Sequence, residues 1–357
     1  MRVLLLVGGR NPRVMTGADR IVAESGNALR TYVFPEVLGA DVVNLLDVME
    51  SDFYLKFLYC FLPKPWTIAV AGFRKRHSFD AVVTWSEQIS VAFSFLQWIS
   101  LDKKPHVAML YWMSKPLVRR ALRCLGNKIS GIVTWSSVQR RYAIEKIGIP
   151  EDRIFFVPHF VDDRFWKHQE GVEFENNLVA AVGSEMRDYD TFIEAMKGTH
   201  LHAFIATKEI RITKLGVKAC ISSPEEIASE LPSNVVVRPL SAQDLRNLYD
   251  RAAVVVVPVL PNDTDNGVTV ILEAMSMGKV VICSKIVGQV DVIENGVNGF
   301  YVEPQNPVAL RELMEHLVAD KALCEKIGQK ARENVEKFHR IELFSHGVRC
   351  AVEKAVR

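Results

Sequence analysis

Residues 252–278 read AAVVVVPVLPNDTDNGVTVILEAMSMG, and their order decides the fold. Ala252 to Val257 is a short unbroken apolar run, as a strand buried on both faces of a parallel sheet requires. Pro258 to Gly267 is polar and rich in turn formers, and Val268 to Met277 has the spacing of a buried helix that Gly278 ends. Strand, loop and helix in that order bring backbone N–H groups and the positive end of a helix dipole beyond the strand's carboxyl end, a ready site for a diphosphate. Asn266, Gly267 and Val268 are the expected donors. Gly267 has no Cβ to keep a ligand away from the backbone.

Glu273 falls inside this helix among Ile271, Leu272, Ala274 and Met275, where an unpaired carboxylate is costly. Thr269 lies one turn earlier on the same face. A carboxylate held beside such a loop can accept both hydroxyls of a ribose cis-diol. A helix-stabilising Glu paired with a Lys is the ordinary alternative.

Outward from this segment, apolar strand candidates alternate with helical patterns. VLLLVG, DAVVTW, HVAMLYW and GIVTW are each followed by one, over Ala18–Leu29, Gln88–Ile99, Leu117–Leu125 and Val138–Ile147. After IFFVPHFVDDRFW the pattern restarts with LVAAVGS, LHAFIAT, NVVVRPL, AAVVVVP and KVVICS. At 357 residues the chain exceeds one ordinary core. The expected fold is α/β, with two Rossmann-like doubly wound domains facing across a cleft. Their limits are read as 1–158, a connector over 159–170, and 171–337, with 338–357 as a separate terminal segment.

Composition narrows the class. Apolar residues at 49%, charged residues at 24% and a mean hydropathy of +0.09 describe a globular chain rather than a disordered one. The start, MRVLLLVGG, is too short for a signal peptide and reads as a buried first strand. Cys60, Cys124, Cys220, Cys283, Cys324 and Cys350 show no metal-ligand spacing, so reduced thiols and a cytoplasmic location are expected. The net charge of +2 hides an asymmetry: residues 1–158 carry 21 Lys and Arg against 13 Asp and Glu, the remainder 23 against 29. Lys103 to Ala143 holds nine cationic residues and no acidic one, and Phe53 to Phe79 holds five and none. That field favours an anionic partner or surface, or else is a solvated cationic face. Pro63-Lys64-Pro65 divides the apolar stretch Phe53–Phe73 into pieces too short to span a bilayer. Trp66 to Phe73, followed by Arg74, Lys75 and Arg76, either lies in a membrane interface or packs as a helix on the sheet. Gly8-Gly9-Arg10-Asn11-Pro12 lacks the dinucleotide-binding glycine spacing.

The stretch Asp265–Leu310 resembles the donor-site region of family four of the retaining glycosyltransferases with the GT-B fold. Asp265 and Glu273 stand with seven residues between them, as that family's two acidic residues do, and Gly278-Lys279-Val280-Val281 and Asn295-Gly296-Val297-Asn298-Gly299-Phe300 also match. The resemblance implies that Glu273 holds the ribose, Asp265 contacts the transferred sugar, and the amides of Gly267 and Val268 face diphosphate and sugar. Asp265 stands where the family usually has Glu. Thr16-Gly17-Ala18-Asp19-Arg20 resembles a first-loop pattern of the family, from which Gly17 carries over as a close backbone approach. In Gly183-Ser184-Glu185-Met186-Arg187, Ser184 and Arg187 occupy the places of two diphosphate-gripping cations, and Arg187 keeps its charge. Arg238-Pro239-Leu240 matches the turn whose backbone at Leu240 reads the base, Val157–Asp162 resembles the interdomain element, and Phe338–Val356 resembles the family's terminal helix, which implies a helix over 338–357 that returns to the first domain.

The resemblance implies sugar transfer from a nucleotide-sugar, a UDP-sugar by family habit, to an acceptor hydroxyl with retention of configuration. An anionic or lipid-linked acceptor and contact with an acidic membrane follow from the charge split; no nucleic acid is expected. Asp263-Thr264-Asp265 spells the Asp-x-Asp metal motif of a different glycosyltransferase fold, but two Rossmann halves argue against that fold, so no metal and no cofactor are expected. His106 falls at the amino end of its strand, away from any cleft, and His159 reads as junction packing. A sugar-nucleotide epimerase and a non-catalytic nucleotide-sugar-binding protein share these features.

Overall fold

The computed structural model describes residues 1–9, 15, 17–50, 53–212, 217–220 and 231–357. Thr16 and the 10–12 part of the glycine-spacing argument lie outside them. The chain divides into two compact units, Met1–His159 with Ile341–Arg357, and Phe160–Arg340.

Among the described residues, the first unit holds β1 (Val3–Val7), β2 (Ala40–Val43), β3 (Ala81–Trp85), β4 (His106–Met109), β5 (Gly131–Thr134) and β6 (Ile154–Phe156) in the order β2-β1-β3-β4-β5-β6, all parallel. β1 is buried throughout, which is why it reads as a continuous apolar run. β2 and β6 are its edges, short and partly exposed, and neither is legible as a strand in the sequence. The first helix spans Gly17–Glu24, shorter than the expected Ala18–Leu29, because the chain turns through Gly26 at φ +79°. The terminal helix Ile341–Val356 belongs to this unit. Phe344 packs against Phe34 with ring centroids 5.6 Å apart, and the buried Arg30 pairs with Glu342.

In the second unit β7 (Glu175–Val182), β8 (His202–Ala206), β11 (Val235–Arg238), β12 (Ala252–Val257), β13 (Val280–Ser284) and β14 (Phe300–Val302) form a parallel sheet ordered β11-β8-β7-β12-β13-β14. A hairpin of β9 (Glu209–Ile212) and β10 (Val217–Cys220) stands apart from it. The winding runs outward through β8 to β11, then returns and runs the other way from β12 to β14, so its direction reverses between β7 and β12. Ligands of open α/β sheets bind beyond the carboxyl ends of the strands at such a reversal.

Residues 160–170, expected as a connector, pack within this unit: Phe165 and Trp166 are buried, the Phe165 carbonyl accepts from Arg246 Nη1 at 3.0 Å, and the Trp166 carbonyl accepts from Ser276 Oγ at 2.6 Å.

Candidate active site

Two loops meet at the reversal point. The loop after β7 runs from Gly183 to Asp188 and the loop after β12 from Pro258 to Gly267, and they are joined by a bridge between Arg187 and Val259. The Asp188 amide donates to the Pro258 carbonyl and the Leu260 amide to the Met186 carbonyl, each at 2.9 Å. Residues 70 to 74 apart in sequence are thereby fixed side by side.

Arg187 is anchored through two of its three guanidinium nitrogens: Nε donates to the Val182 carbonyl and Nη1 to the Glu185 carbonyl, both at 2.8 Å. Among the described residues no carboxylate pairs with it. The guanidinium lies close to the helix start, since a Cβ at Gly267 would stand 3.5 Å from Nη2 and 3.6 Å from Nη1. A cation held in place and lacking a counter-ion, set against a helix N-terminus, is a site for an anion.

Gly267 is the N-cap of the helix Val268–Ser276 and takes φ +95°, a left-handed conformation that L side chains resist. A Cβ there would also come within 2.7 Å of Val257 Cγ1. The loop before it is clamped from behind. Gln289 Nε2 donates to the carbonyls of Asp265 at 3.1 Å and Asn266 at 3.3 Å, and Gly288 packs so closely that a Cβ on it would lie 2.0 Å from the Thr264 carbonyl oxygen. Gly288→Ala is therefore expected to displace this loop and to cost about 2 to 3 kcal/mol of stability, measured by urea unfolding. A loss under about 0.5 kcal/mol would contradict the clamp.

Asp265 is buried and accepts a hydrogen bond from Thr264 Oγ1 at 3.2 Å. Asn266 Nδ2 and Gln289 Oε1 are buried with no hydrogen-bond partner among the described residues, an arrangement that a polar ligand would complete. Val268 is buried and Thr269 exposed in the first turn. Glu273, half-buried, accepts from Tyr249 Oη at 3.1 Å, and burial raises its carboxyl to about 8. Tyr249 is wholly buried, backed edge-on by Trp166 with centroids 5.6 Å apart. The connector thus stiffens the phenol that positions Glu273.

Ser184 lies in the Arg187 loop, with Oγ 2.8 Å from Thr207 Oγ1 at the end of β8. Leu240 follows β11. It lines a cavity of about 420 Å³ with Phe204, Arg238, Asn247 and Arg251, and that lining shares no residue with the Arg187–Gly267 group. Gly17 lies in the first unit, opening a helix at φ +57°, with open space where a Cβ would project. His106 is wholly buried between Thr84 Oγ1 at 2.8 Å and Ser94 Oγ at 3.3 Å, and desolvation drives its imidazole down to about 3, so it is a neutral core residue. His159 stacks on Trp135 with centroids 4.8 Å apart. Among the described residues no group of three or more His, Cys, Asp or Glu side chains is placed to hold a metal ion.

Tyr249, Gly288 and Gln289 escape a reading of the sequence. Gly288-Gln289 follows β13 in a polar turn, the one local signal that a loop there faces the site.

Residues 177–320 match the family model of the Glycosyl transferases group 1. Over 105 residues, 29% of this chain and 26% of its relative, the sequence is 32% identical to the capsular polysaccharide biosynthesis glycosyltransferase CapM of Staphylococcus aureus. It is 33% identical over 100 residues, 28% of this chain and 25% of its relative, to an uncharacterized glycosyltransferase, MJ1607, of Methanocaldococcus jannaschii. The chain spans about a quarter of the length of these curated relatives. Similar solved structures extend over nearly all of it. A glycosyltransferase from Rickettsia africae ESF-5 covers 100% of this chain and 98% of its own at 18% identity and a TM-score of 0.69. Anabaena Alr3699/HepE in complex with UDP-glucose covers 98% of both chains at 17% identity and 0.70. Sucrose-phosphate synthase from Thermosynechococcus elongatus covers 97% of both at 15% and 0.72. The fold is that of the GT-B glycosyltransferases, two α/β units each built on a parallel sheet.

Proposed function

We propose, from the fact that residues 177–320 form a Glycosyl transferases group 1 domain, that this chain is a retaining glycosyltransferase that moves a sugar from a UDP-sugar to an acceptor hydroxyl without a metal ion. The observation that carries the reading is Arg187, a guanidinium anchored on two carbonyls, with no carboxylate partner among the described residues and lying close to the Gly267 helix start. That HepE was solved in complex with UDP-glucose supports the choice of donor.

In this reading the diphosphate lies between Arg187 and the amides of Gly267 and Val268, with Ser184, Asn266 and Thr269 at its margin. Glu273 accepts the ribose hydroxyls. Asp265 meets the transferred sugar and Leu240 the base. Breaking the anomeric C–O bond builds negative charge on the departing diphosphate and leaves an oxocarbenium-like sugar. Arg187 and the helix N-terminus act where that charge grows, so their stabilisation is greater in the transition state than in the ground state. The acceptor hydroxyl attacks on the face the phosphate leaves, and the phosphate oxygen takes its proton. No protein nucleophile is required. The positive charge these groups supply makes a metal unnecessary, and activity is expected to persist in excess chelator.

The basic first unit is read as the acceptor side, suited to an anionic or lipid-linked acceptor at an acidic membrane face. A thermal-shift screen of UDP-, GDP- and ADP-sugars tests the donor site. A true donor at a hundred times its Kd adds about 2.7 kcal/mol of stability, and silence from all of them would remove the reading.

A further inference from the structure

The sequence directs attention to Trp66–Phe73 as the apolar segment next to a cationic cluster. The structure packs that segment: Ile68, Ala69 and Ala71 are buried, Trp66 meets Phe95 edge-on with centroids 5.6 Å apart, and Phe73 meets Phe93 at 5.8 Å. The exposed apolar face lies one helix earlier, on Phe53–Phe61. Phe53, Phe57 and Phe61 recur every four residues, so they form one ridge, and they are 83%, 52% and 71% exposed. Their rings touch in series, Phe53 to Phe57 at 6.5 Å and Phe57 to Phe61 at 4.8 Å between centroids. The opposite face is anchored, with Leu55 buried and Leu58 and Tyr59 packed on the first unit's core.

Three phenylalanines in a line on an anchored helix are more apolar surface than scattered exposed residues account for. Charge says what covers them. Lys56 and Lys64 flank the ridge and are exposed, Arg74 lies over the exposed Tyr54 ring at 5.3 Å, and no acidic residue occurs from Phe53 to Phe79. Aromatic rings beside cations suit the boundary of an anionic bilayer, where the rings enter the acyl edge and the cations meet phosphate headgroups. Lys56 and Lys64, exposed beside the ridge, are the cations that an anionic headgroup layer complements.

We infer that the helix Phe53–Phe61 is the surface by which the first unit docks on an acidic lipid bilayer, its Phe53-Phe57-Phe61 ridge inserted and Lys56, Lys64 and Arg74 at the headgroups. The inference rests on the membrane reading given above and replaces its location. It does not depend on sugar transfer.

The test is co-flotation of the full chain with vesicles of phosphatidylcholine alone and of phosphatidylcholine with phosphatidylglycerol at roughly three to one, at low salt and at about 500 mM salt. Wild type is expected to float with the acidic vesicles only and to lose most of that binding at high salt. Phe53→Ser, Phe57→Ser and Phe61→Ser together are expected to reduce binding more than tenfold with an unchanged melting temperature, since all three are exposed. Lys56→Glu with Lys64→Glu is expected to do the same. Wild type that ignores acidic vesicles would overturn the membrane reading itself. Wild type that binds while the triple variant binds equally well would overturn only the ridge. A dimer in solution that the triple variant dissolves, without vesicle binding by wild type, would assign the ridge to a second copy of the chain.

Discussion

Glu273→Ala is expected to weaken UDP binding at least about a hundredfold by titration calorimetry, the effect of losing two charge-assisted hydrogen bonds worth together about 3 kcal/mol. The residue is poised for that use at a cost to the fold. Its carboxyl titrates at about 8 because burial disfavours the charge, and the Tyr249 hydroxyl opposes the shift only in part. The sign of the pH effect follows. The folded chain keeps this proton where the unfolded chain, with its carboxyl near 4.5, has released it. Stability from this group is therefore complete below about 4.5, falls as pH rises to about 8, and is flat beyond. Glu273→Gln escapes that loss, so its stability advantage over wild type should widen with pH and reach on the order of a few kcal/mol at about pH 9. Ligand hydroxyls favour the ionised carboxylate, so wild-type affinity for UDP should rise between about pH 6 and 8 while that of Glu273→Gln stays level. Equal gaps in stability at about pH 6 and 9 would contradict the buried-carboxyl account.

Arg187→Ala should lower kcat/KM by about 10² to 10³, the range for deleting one preorganised donor to a developing anion. Arg187→Lys should recover little. The guanidinium holds the Val182 and Glu185 carbonyls with Nε and Nη1 while lying close to Gly267, and an ammonium cannot keep that geometry. Because these bonds tie the loop to the end of β7, some stability will be lost as well. The informative comparison is therefore between the loss in kcat/KM and the loss in UDP affinity. A transition-state role predicts that the first exceeds the second.

The central strands of both sheets are legible in the sequence because burial on two faces demands continuous apolar runs, as in Val3–Val7 and Ala252–Val257. β2, β6 and β14 are not, since each has only three or four residues, partly exposed, too short to stand out as a strand. The hairpin β9–β10 lies outside the parallel winding that the alternation describes. The candidate site shows the same division. Gly267 and Glu273 are readable because one strand, loop and helix place them. The nearness of Arg187 to Gly267 arises from the neighbouring of β7 and β12, which no local spacing encodes. Tyr249 behind Glu273, and Gln289 beneath the Asp265–Asn266 loop, are partners fixed by packing across the unit, and only coordinates reveal them. Which of two apolar segments faces outward has a similar cause. Phe53–Phe61 and Trp66–Phe73 are equally apolar as text, and only the core they share determines which one stays outside.

The most direct test is a crystal structure of the chain with UDP bound. The account predicts the diphosphate within hydrogen-bond distance of Arg187 and the Gly267–Val268 amides, and the ribose hydroxyls on Glu273. UDP found in any other place, with Arg187 and Glu273 untouched, would contradict it.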